Sequence, residues 1–283
     1  LKQRLKQALR NLPSAKSNKR LRVFAGPNGS GKSTIINALK NIKVDGYPID
    51  FGIYINADDI TNTLREDTFT FEQYELSKII RSDFVEHALQ SGLINKDFPE
   101  GKFKTCFTLN NAGVFKLVKP EWDEHMAQLM ADFLRNCLLQ REKKISFETV
   151  FSHPSKIDFL KNAYDMGYKI YLYFICTESP LINISRIKEV RIKLGGHDVP
   201  TNKIKARYAR SLELLYDAAE LAYQAYFFDN SHDDSGHEPF AHFKVIKGKK
   251  KWDEELKALD LDVLPEWFWK YYLSKLESSK SHP

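Results

Sequence analysis

The sequence predicts an α/β fold, a parallel sheet with helices on both faces. Three observations predict it. Segments that are apolar through their length, such as Ile170–Cys176, alternate with segments whose apolar residues recur at helical spacing; strands of that kind are buried on both faces. A glycine-rich turn separates the first predicted strand from the helix after it. The segments richest in reactive side chains, 26–33, 56–59, 148–149 and 229–231, each sit at the carboxyl end of a predicted strand. In open parallel sheets ligands bind beyond the carboxyl ends of the strands.

Taken in order, Leu1, Leu5, Leu9 and Leu12 stand at helical spacing and Pro13–Asn18 interrupts them, so 1–20 reads as a basic helix and linker. Leu21–Ala25 is a strand, Gly26–Ser33 the turn, and a helix runs on to about Leu39. Ile53–Asn56 is a second strand that ends at the acidic pair Asp58 and Asp59. Thr70 and Gln73 resemble a capping box, opening a long helix that stops near Gly92. Residues 93–121 have no clear period and read as an insertion able to fold over a site. Trp122–Gln140 is a helix with Met126, Met130, Phe133 and Cys137 on one face.

Ile145–Val150 is the third strand; Pro154 starts a helix that Gly167 ends. Lys169–Cys176 is the fourth strand, followed by a helix from Pro180 to about Leu194 that Gly195–Gly196 stops. Thr201 caps a helix reaching Tyr223, and Ala225–Phe228 is the fifth strand. A basic strand, Ala241–Ile246, precedes an aromatic-rich helix around Trp267 and Trp269. The expected organisation is therefore a basic N-terminal segment (1–20), one domain over 21–250 and a helical extension over 251–283.

The chain has 283 residues, 42% hydrophobic and 13% aromatic, enough for a full core. No apolar run approaches a membrane span, and the basic, polar first residues lack the apolar stretch of a secretory signal. Three scattered cysteines, Cys106, Cys137 and Cys176, form no CxxC pair. That argues against a disulfide framework or a zinc site and for a reducing, cytoplasmic setting. The net charge of +6 favours anionic partners, but much of it sits in 1–20 and in Lys244–Lys251. Such runs are more often solvated segments than nucleic-acid sites.

The turn Gly26-Pro27-Asn28-Gly29-Ser30-Gly31-Lys32-Ser33, followed by Thr34, matches G-x-x-x-x-G-K-[ST] in full, between a strand and a helix. This makes the fold a P-loop NTPase or kinase-like sheet. Gly29 and Gly31 let backbone amides curl around phosphates at a helix N-terminus. Lys32 reaches the outer phosphates of ATP, and the Ser33 hydroxyl binds Mg²⁺. Phosphoryl transfer further needs a group to orient the nucleophile, and Asp58 is the preferred base. The same acidic pair could instead cap a turn or hold Mg²⁺ through water. Glu148 and Thr149 could hydrogen-bond a polar acceptor, or Glu148 could serve as a Walker B-type acid; an ordinary strand end is the plainer reading. Residues 186–210 hold Arg186, Lys188, Arg191, Lys193, His197, Lys203, Lys205, Arg207 and Arg210. An arginine-bearing lid hinged at Gly195–Gly196 has this composition, as do two solvated helix faces.

With these residues in place the chain resembles the zeta toxins, the kinase halves of epsilon/zeta toxin–antitoxin systems. The resemblance is carried by the loop, by Ile55-Asn56-Ala57-Asp58-Asp59-Ile60 and by Ser146-Phe147-Glu148-Thr149-Val150-Phe151-Ser152-His153-Pro154. Gly167-Tyr168, Gly195-Gly196-His197-Asp198-Val199-Pro200 and Phe228-Asp229-Asn230-Ser231 extend it over residues 21–231. It implies an ATP-dependent kinase that phosphorylates a sugar hydroxyl of a UDP-amino sugar, typically UDP-N-acetylglucosamine, restrained by a small helical antitoxin. It implies Asp58 as catalytic aspartate, Glu148 and Thr149 as substrate-binding residues and Arg186 or Arg191 as a lid arginine. His197 stands where the second lid arginine is expected, and 93–121 does not match the better-known members. A related effector family on this scaffold phosphorylates NAD. NAD, a nucleoside or a polynucleotide therefore remain alternative acceptors, and a nucleotide-gated binding module is the alternative outside enzymes.

Overall fold

The computed structural model describes residues 19–44, 46–66, 68–191, 199–232, 239–253 and 264–280. Its strands are β1 (Arg20–Ala25), β2 (Lys43–Val44), β3 (Tyr47–Pro48), β4 (Ile53–Ile55), β5 (Thr68–Thr70) and β6 (Phe107–Leu109). They continue with β7 (Val114–Leu117), β8 (Ile145–Thr149), β9 (Lys169–Cys176), β10 (Gln224–Asp229), β11 (Ala241–Ile246) and β12 (Lys249–Trp252). The helices are α1 (Lys32–Lys40), α2 (Ala57–Glu66), α3 (Arg81–Gln90), α4 (Glu100–Thr105), α5 (Asp123–Gln140) and α6 (Ser155–Asp165). After them come α7 (Pro180–Arg186), α8 (Thr201–Glu213), α9 (Leu215–Glu220), α10 (Glu266–Phe268) and α11 (Ser274–Lys280).

Seven strands form one sheet in the order β12-β11-β10-β9-β1-β8-β4. β9 pairs in parallel with β1 and β10, and β4 with β8, as the apolar strands require. The sheet is not parallel throughout: β11 and β12 are antiparallel additions at one edge. Sequence reading missed β12, whose run Lys249-Lys250-Lys251 looks like solvated charge. The turn before it gives it away in retrospect, because Lys247 and Gly248 both have positive φ, 51° and 75°, the geometry of a tight hairpin. Lysines on an edge strand also discourage pairing with a second chain.

Contacts divide the chain into two units, 1–50 with 148–283, and 51–147. In the first unit the strands β1, β9 and β10 are almost wholly buried. One face of the sheet stacks Tyr173 on Tyr226 at 4.8 Å and Tyr226 on His242 at 4.3 Å. Phe227, Phe243, Trp252, Phe268 and Tyr272 form a second aromatic group that seats the terminal helices.

In the second unit Phe84 meets Phe103, Phe107, Phe115 and Phe133 with centroids 5.3–6.0 Å apart. This cluster explains a corrected expectation. The long helix expected over 70–92 forms only in its second half, as α3 (Arg81–Gln90); before it Phe69 and Phe71 turn inward on β5 and a single 3₁₀ turn, Phe71–Tyr74. Glu75 and Lys78 then adopt φ of 55° and 60°, which no right-handed helix passes through. The segment 93–121 contributes α4, β6 and β7, and the order β5-β7-β6 makes a separate three-stranded sheet.

Two further helices depart from expectation. α7 widens into a π-helical turn over Ile187–Arg191. The helix expected over 201–223 breaks at Leu214 into α8 and α9, and its N-cap position falls on Pro200, not Thr201. The basic N-terminal helix and the Gly195–Gly196 hinge lie outside the described residues.

Candidate phosphate-binding site

The turn from β1 to α1, the candidate phosphate loop of the sequence, lies in the first unit. Gly29 and Gly31 have φ of 74° and 89°, conformations an L side chain adopts only with strain. Space is closed as well: a Cβ on Gly31 would lie 2.1 Å from Asn230 Nδ2, and one on Gly29 2.7 Å from the Asn183 carbonyl oxygen. The loop is therefore fitted to its surroundings. Within it the Ser30 hydroxyl is buried with no hydrogen-bond partner among the described residues, and buried hydroxyls are ordinarily paired, so it suits a bound polar group.

The sequence-predicted residues of this unit come together. Lys32, 6% exposed, donates to the Pro27 carbonyl oxygen at 2.9 Å and lies 3.8 Å from Glu148 Oε1. The Ser33 hydroxyl donates to Glu148 Oε2 at 3.2 Å. A hydroxyl beside a carboxylate is the hard-oxygen donor set that suits Mg²⁺, so these residues fit the ion the loop implies. Among the described residues no group of three or more His, Cys, Asp or Glu is gathered to hold a metal. Thr34 is exposed on the first turn of α1. Thr149, by contrast, uses its hydroxyl locally, accepting from the Phe151 amide at 3.2 Å.

Sequence reasoning missed the braces behind the loop. Asn183, wholly buried on α7, donates from Nδ2 to the Asn28 carbonyl oxygen at 2.7 Å and accepts from the Thr177 hydroxyl on Oδ1. Tyr208 of α8 donates to the Thr177 carbonyl oxygen at 2.6 Å; burial pushes its phenol above the usual range, which keeps it a donor. Asn230 donates from Nδ2 to the Ser30 carbonyl oxygen at 2.9 Å, and its own carbonyl oxygen accepts from Arg186 at 2.6 Å. The available signal was the polar run Asp229-Asn230-Ser231 at a strand end. Nothing in the sequence distinguished Asn183 from its neighbours.

Of the cations in 186–210, Arg186 touches Asn230, Arg207 reaches Asn28 Oδ1 at 3.5 Å, and Arg210 donates to the Ser152 carbonyl oxygen at 3.1 Å. The side chain of Arg191 and all of His197 lie outside the described residues.

In the second unit Asp58 is exposed in the first turn of α2, and its amide donates to Asn56 Oδ1 at 2.9 Å. An anion there is favoured by the helix dipole. Its neighbour Asp59 bears on Tyr74, whose phenol is pushed up to about 12, first by burial and then by the Asp59 charge.

No family model and no curated protein matches this sequence. Solved structures do resemble it. A crystal structure of AvrRxo1-ORF1:AvrRxo1-ORF2 with sulphate ions is similar over 86% of this chain and 66% of that one, at 14% identity and a TM-score of 0.48. This chain thus spans just under two thirds of that protein's length. The AvrRxo1-ORF1:-ORF2 structure with ATP is similar over 92% and 73%, at 15% identity and a TM-score of 0.47. The PezAT chromosomal toxin–antitoxin system of Streptococcus pneumoniae is similar over 98% and 90%, at 13% identity and a TM-score of 0.42.

Proposed function

We propose that this chain is an ATP- and Mg²⁺-dependent phosphotransferase of zeta-toxin type. The observation that carries the reading is the preformed loop with Lys32 and Ser33 gathered on Glu148. The Gly29 and Gly31 amides bind phosphate oxygens, and Lys32 turns from Pro27 and Glu148 to the outer phosphates. Thr34 caps the phosphate chain from the first turn of α1. Ser33 and Glu148 would hold Mg²⁺, which when bound would supply charge neutralisation for the transferring phosphoryl group. Asp58 takes the proton of the acceptor hydroxyl as the acceptor oxygen bonds to the terminal phosphorus. The bond to the bridging oxygen breaks, and ADP leaves with that electron pair. Arg186, Arg191 and His197 are the groups proposed to close on the phosphates.

The acceptor we propose is a sugar hydroxyl of a UDP-amino sugar such as UDP-N-acetylglucosamine, and the protein partner a small helical antitoxin. Support for both is the ordered set of motifs over 21–231. Mass detection of products tests the acceptor. Protein, ATP and Mg²⁺ are incubated with the UDP-sugar, NAD, a nucleoside and a short oligonucleotide, with Lys32→Ala as control. A phosphate gained by the UDP-sugar and absent from the control supports the reading; gain by another acceptor replaces the substrate and keeps the phosphotransferase.

A further inference from the structure

Across a trans peptide the C=O and N–H point in opposite directions. Whatever fixes a carbonyl therefore aims the next residue's amide. In the loop two alternate carbonyls are fixed by side-chain amides from outside it. Asn183 Nδ2 holds the carbonyl of Asn28 at 2.7 Å, and Asn230 Nδ2 holds that of Ser30 at 2.9 Å. The amides on the far side of those two peptides belong to Gly29 and Gly31, the residues with φ of 74° and 89°.

We infer that Asn183 and Asn230 are positioning residues that turn the Gly29 and Gly31 amides toward the phosphates, an inference that rests on the phosphate-binding reading above. Glycine at both positions makes the peptide free to rotate, and the asparagines remove that freedom before ligand arrives. Each is itself held. Asn183 accepts from Thr177, and Asn230 donates its backbone amide to the Cys176 carbonyl oxygen at 2.8 Å and accepts from Arg186. Both anchors lie at or just beyond the end of β9, so the strand beside β1 sets the loop's electrostatics. The Arg186 contact adds a consequence: the helix bearing a proposed lid arginine is tied to the residue that aims the Gly31 amide.

Asn230→Asp replaces the donating amide with a carboxylate that cannot donate, and Asn230→Ala removes it without adding charge. The probe is inorganic tripolyphosphate, followed by calorimetry and by the amide resonances of Gly29 and Gly31. In the unaltered chain both resonances move on binding. In either Asn230 variant the Gly31 response collapses, the Gly29 response persists, and affinity falls about tenfold, with the melting temperature nearly unchanged. Asn183→Asp reverses the pattern of the two glycines. Equal responses of both glycines in the Asn230 variants, or an affinity loss that only follows the melting temperature, overturns the inference and leaves phosphate binding intact. Failure of the unaltered chain to bind tripolyphosphate overturns the phosphate reading itself.

Discussion

The phosphate loop and the Asp58 turn are both strand-to-helix turns, after β1 and β4, yet they are built in opposite ways. The loop is mostly buried, has glycines at its left-handed positions and has its carbonyls held by Lys32, Asn183 and Asn230. The Asp58 turn follows a strand of three residues, Ile53–Ile55, and its acidic pair faces solvent. Their difference is that between a turn whose backbone is fixed by side chains from outside it and a turn that presents its carboxylates at the surface. In the phosphotransferase reading the first sets donor affinity and the second sets only turnover.

The largest expected effect separates the two directly. Asp58→Asn lowers turnover on the order of 10²- to 10⁴-fold and leaves ADP affinity, measured by calorimetry, within about twofold. An equal loss of both would dissolve the contrast. Lys32→Ala lowers turnover on the order of 10²- to 10³-fold and, unlike the first variant, weakens ADP binding too. The second unit's framework is tested by Phe84→Ala, which empties the centre of the five-ring cluster and costs about 3–5 kcal/mol in denaturant unfolding.

Smaller effects probe the first unit. Burial lowers the His242 pKa from 6.5 to about 4, against the pull of Asp253. The unfolded chain then binds the proton first as pH falls, so stability present above about pH 6.5 is lost toward pH 4. Unfolding midpoints across that window read the loss, and His242→Phe flattens it. Smallest, Tyr208→Phe removes the hydrogen bond to the Thr177 carbonyl oxygen and costs about 1 kcal/mol; its effect on ADP affinity exceeds that of Phe84→Ala, because Thr177 holds Asn183.

The two turns were also unequally legible. The loop could be read because its chemistry needs fixed residue types at fixed spacing. Lys169–Cys176 could be read because a strand buried on both faces is apolar throughout. Asn183 and Asn230 could not be recognised as braces, since what makes them so is a carbonyl about 150 and 200 residues away. The start of the helix expected over 70–92 was misread, though its end at α3 was not, because a local capping pattern was overridden by aromatic packing around Phe84. β12 was missed because a lysine-rich edge strand carries the composition of a loop.

Phosphoryl transfer by this chain is tested most directly with labelled phosphate. The protein is incubated with Mg²⁺ and ATP labelled at the terminal phosphate, in a deproteinised small-molecule extract supplemented with UDP-N-acetylglucosamine and NAD. The expected result is label on a small-molecule acceptor, abolished by Lys32→Ala and by Asp58→Asn. Tight ATP binding with all label remaining in ATP would contradict it and favour a nucleotide-gated binding module.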